Sequence, residues 1–515
     1  MLKHHVSTSN VLERVDPQVI ARDSTIALAG TVAVLALGFS TKSLLARSLS
    51  PADLGLLLAA QALVALALAL AQLGLSDAVV RFVGVYAGFR LAQAKGVLQS
   101  ALRLTVITTG VLAIGLVIGA GHVATILYRE PALGVALGCL ALSIPLTSLG
   151  DMIGAAYRGI GQTWVKIVCV DLLRAMLVVL GAGTMILAER ASVLATAGCY
   201  LFSAAATALL LAALYLRQAK WRVPPSNFPA GTLLRYSLPL FSSALLAGSL
   251  LGNGIPLLLA SLAGPQSTAY YSLALALQPF VYLPSSAVEV AALPLWAGVS
   301  VLGSPQVMQN SFATATRWSF ILASLLLAPL FLTPVPVISL LFGAGYSAAA
   351  PIVQITALAT IFGVAVGPNE GMLRAHGDTR SIFVARVLSG VVAILSAPPM
   401  ITVWAHLGAA VSWSINCLVG NGLLTLLLYR RHGIHPIDVY FLKALGASAA
   451  CFAVVGVAQA YTTMGWEKVL ASTVAYPVLL VVFLFCLRAF PSQDERLLHV
   501  AIKRIAASLG YRKGT

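Results

Sequence analysis

Runs of apolar residues recur from one end of this chain to the other, and most of them exceed eighteen residues. A helix needs about 20 such residues to cross the hydrocarbon core of a bilayer. Lipid offers a backbone amide no hydrogen-bond partner, so runs of this kind must close their own bonds as helices. Of the 515 residues, 59% are hydrophobic and 9% are charged. A soluble domain carries about 25% charge, so this chain has too little polar surface to stay in water. The expected fold class is therefore an all-α polytopic membrane protein.

Fourteen spans are expected, at residues 24–45, 55–75, 101–121, 132–155, 165–187, 192–216, 233–262, 268–297, 316–342, 349–373, 382–403, 406–429, 439–461 and 468–488. A polar arm, 1–23, precedes them. The tail 491–515 reads as a basic amphipathic segment, with Leu497, Leu498, Ile502, Ile505 and Leu509 at helical spacing. The net charge of +16 could point to nucleic acid. An excess of Lys and Arg in cytoplasmic loops accounts for it better. With the N-terminus inside, all but five of the 32 Lys and Arg fall on the inner side, the five being Lys42, Arg47, Arg129, Arg190 and Lys468. Both termini are then cytoplasmic. The six cysteines lie in or beside apolar runs without a CxxC pair, which points to free thiols with no disulfide or metal role.

The chain also repeats itself. A polar break, Leu45 to Gly55, separates the first two runs, and Leu259 to Ala269 echoes it 214 residues later, aligning Pro265 with Pro51. Arg158, Gly161 and Thr163 recur as Arg374, Gly377 and Thr379 at an offset of 216. Thr163 and Thr379 are each placed to cap a helix. Two parallel six-helix lobes follow, an N-lobe at 24–216 and a C-lobe at 233–429, joined by a linker at 217–232. Residues 430–490 add two helices without a counterpart.

Polar residues inside spans are costly and mark candidate sites. Gln278, Tyr282, Ser285 and Glu289 follow one another at steps of 4, 3 and 4 on span eight. Span seven carries Ser242, Ser249 and Asn253, span two carries Gln61 and Gln72, and span one carries Thr31 and Lys42. These are the first two helices of each lobe, so a shared polar cavity is a natural inference. Bonding between neighbouring helices explains any one of these residues equally well. Glu289 could be protonated, paired with a cation, a coupling-ion site, or close enough to the span's end to reach interfacial water. Asp171 and Arg174, three apart on span five, read first as a local ion pair, with a substrate role as the alternative; Asp77 with Arg81 and Glu370 with Arg374 also read as pairs. Helix breakers gather at Gly252 to Pro256 and at Pro279, Pro284 and Pro294. No P-loop and no His/Cys metal spacing occurs, and the short outer loops carry no paired acids. No cofactor is expected, and an enzyme is disfavoured for want of acid–base groups outside the membrane.

Several stretches resemble a known family. Leu45-Ala46-Arg47 followed by Leu49 to Gly55 resembles the first-loop signature of polysaccharide biosynthesis export proteins. These are the O-antigen and exopolysaccharide flippases of the multidrug/oligosaccharidyl-lipid/polysaccharide exporter superfamily. Gly74 to Phe82, Arg158 to Thr163 and Arg235 to Leu240 resemble further segments of the same family. The resemblance implies a V-shaped pair of six-helix bundles in the bacterial inner membrane. It implies transport of an oligosaccharide carried on undecaprenyl pyrophosphate, with membrane lipids, a polysaccharide polymerase and chain-length or export proteins as partners, and no nucleic acid. On that reading Lys42, Arg47 and Arg81 draw or hold the anionic head group. Gln61, Gln72, Asn253, Gln278 and Tyr282 bond sugar hydroxyls, and Glu289 couples to an ion or pairs with a cation. Many relatives carry an acid in the seventh helix where this chain has Gly252 to Pro256. A multidrug or cation antiporter, a lipid II flippase and, least of all, a membrane polymerase or ligase stay open as alternatives.

Overall fold

The protein is described by a computed structural model covering residues 17–489, apart from 89, 129, 131–132, 219–222, 303–304 and 462–464. The expected arm and the basic tail lie outside the described residues, save for the start of the first helix. Among the described residues there is no strand. Eleven helices among the described residues are long and apolar enough to cross a membrane. Three regions account for the shortfall from fourteen. Residues 163–187 and 230–263 stay helical but pass through wide π turns at Lys166–Leu172 and Leu245–Gly254. The long helix Thr379–His432 is broken at Ala405, whose φ of 48° is not helical.

The chain divides into two compact units. The first comprises Met1–Leu277, Leu341–Ile352 and Arg386–Asn416. It is built from α1 (Pro17–Ser48), α2 (Pro51–Gln72), α3 (Leu75–Tyr86), α4 (Leu91–Tyr128), α5 (Leu133–Gly159), α6 (163–187), α7 (Val193–Arg217), α8 (230–263) and α9 (Pro265–Leu275), with parts of later helices. The short α3 is amphipathic. Leu75, Ala78, Val79 and Val83 are buried at three- and four-residue steps, while Asp77 and Arg81 stay exposed. Its buried face packs on Ala94, Val97 and Leu98 of α4 and on Met152, Ala155 and Ala156 of α5.

The polar break at Leu45 to Gly55 becomes a tight helix-to-helix turn. Ser50 caps α2, accepting the Asp53 N–H at 3.1 Å and donating its hydroxyl to Asp53 Oδ2 at 2.7 Å. Pro51 takes the first helical position, where its missing N–H costs nothing. The echo at Leu259 to Ala269 meets this turn directly. A Cβ on Gly55 would stand 1.8 Å from the carbonyl oxygen of Pro265, so only glycine allows α2 and α9 to cross there. Both Leu45 and Leu259 are buried.

The second unit comprises Gln278–Leu340, Val353–Ala385 and Cys417–Thr515. It holds α10 (Gln278–Leu302), α11 (Pro305–Leu332), most of α12 (Pro334–Phe342) and α13 (Ala350–Ala365), α14 (Asn369–Ala375), the two ends of α15 (Thr379–His432), α16 (Val439–Ala460) and α17 (465–486). Span eight of the sequence reading divides before α10. Pro279 has no N–H for the carbonyl of Leu275, and α9 ends at that residue. The last two helices, α16 and α17, pack on α11 through Ile321, Ala328, Ala447, Cys451, Tyr476 and Leu480. Arg317 of α11, 1% exposed, is neutralised by Asp438 at 2.9 Å.

The two expected threonine caps sit one residue late. Asp378 caps α15, accepting the Ser381 N–H at 3.1 Å and the Ser381 hydroxyl at 2.6 Å. Gln162 precedes α6 without a side-chain cap. Arg431 also donates to Asp378, at 2.9 and 3.0 Å. Burial alone would raise the Asp378 pKa, but these bonds outweigh it and hold the carboxyl below the usual carboxylate range.

Two outcomes follow for thermal unfolding in detergent. Gly55→Val should lose about 1–3 kcal/mol of stability, the usual cost of overpacking, because backbone must move to admit it. Asp378→Ala should destabilise the protein at neutral pH by about 1 kcal/mol, a typical cap. Since the folded pKa is depressed, that difference should persist down to about pH 4 and vanish as pH falls through the lowered value.

Candidate functional site

Charged side chains meet inside the first unit, on three helices that read as spans. Lys166 of α6 places Nζ 3.1 Å from Asp151 Oδ1 of α5 and 2.7 Å from Asp171 Oδ1 of its own helix. Gln72, at the end of α2, donates Nε2 to Asp151 Oδ2 at 3.1 Å. Arg174 stands at 3.9 Å from Asp151 Oδ1 through Nη1. Asp151 and Lys166 are each 18% exposed. So few charges in so apolar a chain, brought to one place, make this its best candidate site.

Local backbone geometry decides who pairs with whom. In an α-helix, residues three or four apart are neighbours. The π turn at Lys166–Leu172 bonds across five residues instead, as the Leu173 N–H does to the carbonyl of Val168. Lys166 therefore meets Asp171, five residues on. This corrects the expected local pair of Asp171 with Arg174. Glycines on α5 make the room. A Cβ on Gly154 would come within 2.6 Å of Lys166 Cδ, and one on Gly150 would lie 3.5 Å from Arg174 Nη2.

In the second unit, Gln278, Tyr282 and Glu289 follow one face of α10, each with its own partner. Gln278 is buried, donating to Thr356 Oγ1 at 2.7 Å and accepting the Thr360 hydroxyl. The Tyr282 hydroxyl sits 3.1 Å from Cys417 Sγ, over Gly363, where a Cβ would come within 2.7 Å of it. Glu289 lies against Gly371 and pairs with Arg374 at 3.5 Å. Arg374 also binds Glu370, as its four-residue spacing led one to expect.

The remaining candidates stand apart from both groups. Lys42 is half-buried on α1, and Arg47 is exposed one turn further on. Gln61 of α2 is half-buried, its amide beside the Tyr200 hydroxyl. Arg81, expected beside Asp77, lies instead over the Tyr236 ring at 4.5 Å. Asn253 is half-buried at the end of the π turn in α8. The side chains of Ser242, Ser249 and Pro294 are outside the described residues. Of the nine candidates, only Gln72 joins the charged network. Asp171 and Arg174 stand out in the sequence as a pair, but Asp151 and Lys166, which complete the network, do not. The signal was present: Asp151 lies inside a span, between two glycines four residues apart.

The two aspartates should not weigh equally. Asp151→Asn removes the acceptor that Lys166 and Gln72 share across helices, and should cost about 2–3 kcal/mol in detergent unfolding, short of a fully buried pair. Asp171 is 36% exposed, and Asp171→Asn should cost about 1 kcal/mol or less. The reverse order would contradict the network.

Comparison with known proteins bears on this arrangement. The chain matches the family described as polysaccharide biosynthesis protein over residues 20–292. Its fold is similar to that of the lipid II flippase MurJ in an inward closed conformation, at 14% identity and TM-score 0.70, covering 89% of this chain and 98% of that one. An inward-facing multidrug resistance MATE family transporter of the MOP superfamily is similar at 16% identity and TM-score 0.63, covering 78% and 94%. A MOP superfamily transporter from Pyrococcus furiosus, described as having a binding pocket of reverse polarity, is similar at 15% identity and TM-score 0.56, covering 81% and 95%. No curated protein matches the chain.

Proposed function

This chain belongs to the polysaccharide biosynthesis protein family, and we propose that it is a flippase for a lipid-linked oligosaccharide, the precursor of a cell-surface polysaccharide. The substrate rides on a polyprenyl carrier, undecaprenyl pyrophosphate, and crosses from the inner to the outer leaflet of the bacterial inner membrane. The family match carries this reading, because a polysaccharide pathway in a membrane must move its sugar across before polymerisation outside. The likeness of fold to MurJ and MATE transporters supports movement of a solute rather than covalent chemistry.

The physical task is to pass sugar hydroxyls and a diphosphate through a barrier that charges them heavily for leaving water. The protein substitutes its own polar groups for that water and exposes them to one side at a time. Gln61 offers a sugar hydroxyl its amide donor. Gln72, Asn253, Gln278 and Tyr282 complete the sugar-binding set, with Gln278 and Tyr282 exchanging their present partners for substrate. Lys42, Arg47 and Arg81 attract the anionic head group. Arg374 beside Glu289 supports a charge-pairing role for that carboxylate. The charge bias of the loops supports fourteen spans with both termini in the cytoplasm. A polymerase and chain-length or export proteins are the partners such a pathway requires. The likeness to MATE transporters sustains a second reading, a multidrug or cation antiporter.

In a deletion strain, the lipid-linked precursor should accumulate on the inner leaflet and the polymer should be lost. Normal translocation without the protein would refute the flippase reading, and drug sensitivity with intact polymer would favour the antiporter. Replacing Lys42, Arg47 or Glu289 singly with Ala should reduce polymer export without loss of protein from the membrane. Full export by all three variants would remove them from the site.

A further inference from the structure

Arg174 is the one member of the charged network whose bonding is unfinished. Each carboxylate around it is already engaged. Asp151 accepts from Lys166 on Oδ1 and from Gln72 on Oδ2, and Asp171 accepts from Lys166. The distance from Arg174 to Asp151, 3.9 Å, is an ion pair and too long for a hydrogen bond. Its Nε and Nη2 are buried, and among the described residues neither has a hydrogen-bond partner. Those two atoms form one edge of the guanidinium, two parallel N–H groups that match the two oxygens of a phosphate or carboxylate. A buried donor without an acceptor is rare in a folded protein, and a pair of them on a charged group inside a span is rarer. The surroundings are built to hold the group there. The π turn offsets Arg174 from Asp171, and Gly150 of α5 lies in van der Waals reach of Nη2. The side chain as a whole remains 23% exposed, while the unpaired edge itself is buried, so an anion reaches it as the helices around it part.

We propose that the free edge of Arg174, with Lys166 beside it, is a docking site for an oxyanion of the transported substrate. The inference rests on the flippase reading and adds a recognition residue to it. Two sources share this chemistry, the diphosphate of a carrier lipid and the carboxylate of an acidic sugar. Lys166 is occupied by both aspartates in the present arrangement, and an arriving anion would compete with them for it. Charge in the network is balanced without ligand, two carboxylates against two cations.

The test uses the purified full-length protein in detergent, with inorganic pyrophosphate and glucuronate as separate probes at high salt, read by calorimetry and by the thermal unfolding midpoint. The wild type should bind at least one of them. Pyrophosphate alone would identify the carrier's diphosphate, and glucuronate alone an acidic sugar. Arg174→Gln should weaken that binding at least tenfold. Arg174→Lys keeps the charge but loses the two-pronged edge and should weaken it as well, so it decides the matter if the Gln variant fails to fold. No binding to the wild type, or equal binding by wild type and both variants, would overturn the proposal. Such a failure would leave untouched the stranding of precursor on the inner leaflet in a deletion strain. Conversely, normal flipping without the protein would refute the flippase reading while the anion binding stood.

Discussion

The hydrocarbon core of the membrane gives a polar group nothing to bond with, and that single condition shapes nearly every polar contact in this protein. Gln278 is buried between two threonines that serve both ends of its amide. Arg317 is almost wholly buried and carries its own counter-charge in Asp438. Lys166 sits between two aspartates. In water each arrangement would be worth little; out of water the alternative is an unpaired charge, and the pairing becomes obligatory. Against that background the Arg174 guanidinium edge, without an acceptor among the described residues, departs from the rule.

The same condition restricts how helices can bend. A break in a spanning helix must be repaired locally or placed where something else satisfies the backbone. Here two spans pass through π turns instead of breaking, and each carries candidate polar residues in or beside that turn: Lys166 and Asp171 in one, Asn253 in the other. A π turn keeps every amide bonded while rotating the residues beyond it, so it re-aims side chains at small cost. Proline achieves the opposite at α9 and α10, where Pro279 ends one helix and opens the next, bringing Gln278 to the first position of a new helix.

Membership of a polysaccharide biosynthesis family and a MurJ-like and MATE-like fold fit together through this physics. Both describe a chain of apolar helices in which few charges occur. In this chain a balanced group of four charges and an amide gathers in the first unit, while the second holds a row of polar residues that mostly bond one another.

The sequence alone determined what depends on near neighbours. Apolar runs forced helices, the charge deficit forced a membrane, and the matched turns at Pro51 and Pro265 suggested a repeat. Four-residue spacing gave the Glu370 and Arg374 pair, because an unbroken α-helix fixes that neighbourhood. Tertiary structure decided the rest. Asp151 and Gln72 are 79 residues apart, and no local rule joins them. The π turn in α6 redirected Asp171 from Arg174 to Lys166, since helix spacing predicts partners only where the helix keeps its period. That the Leu45-to-Gly55 turn would touch its own echo, with Gly55 against the Pro265 carbonyl, was likewise settled by packing alone. A repeat can be read along a chain, but the meeting of its two copies exists only in space.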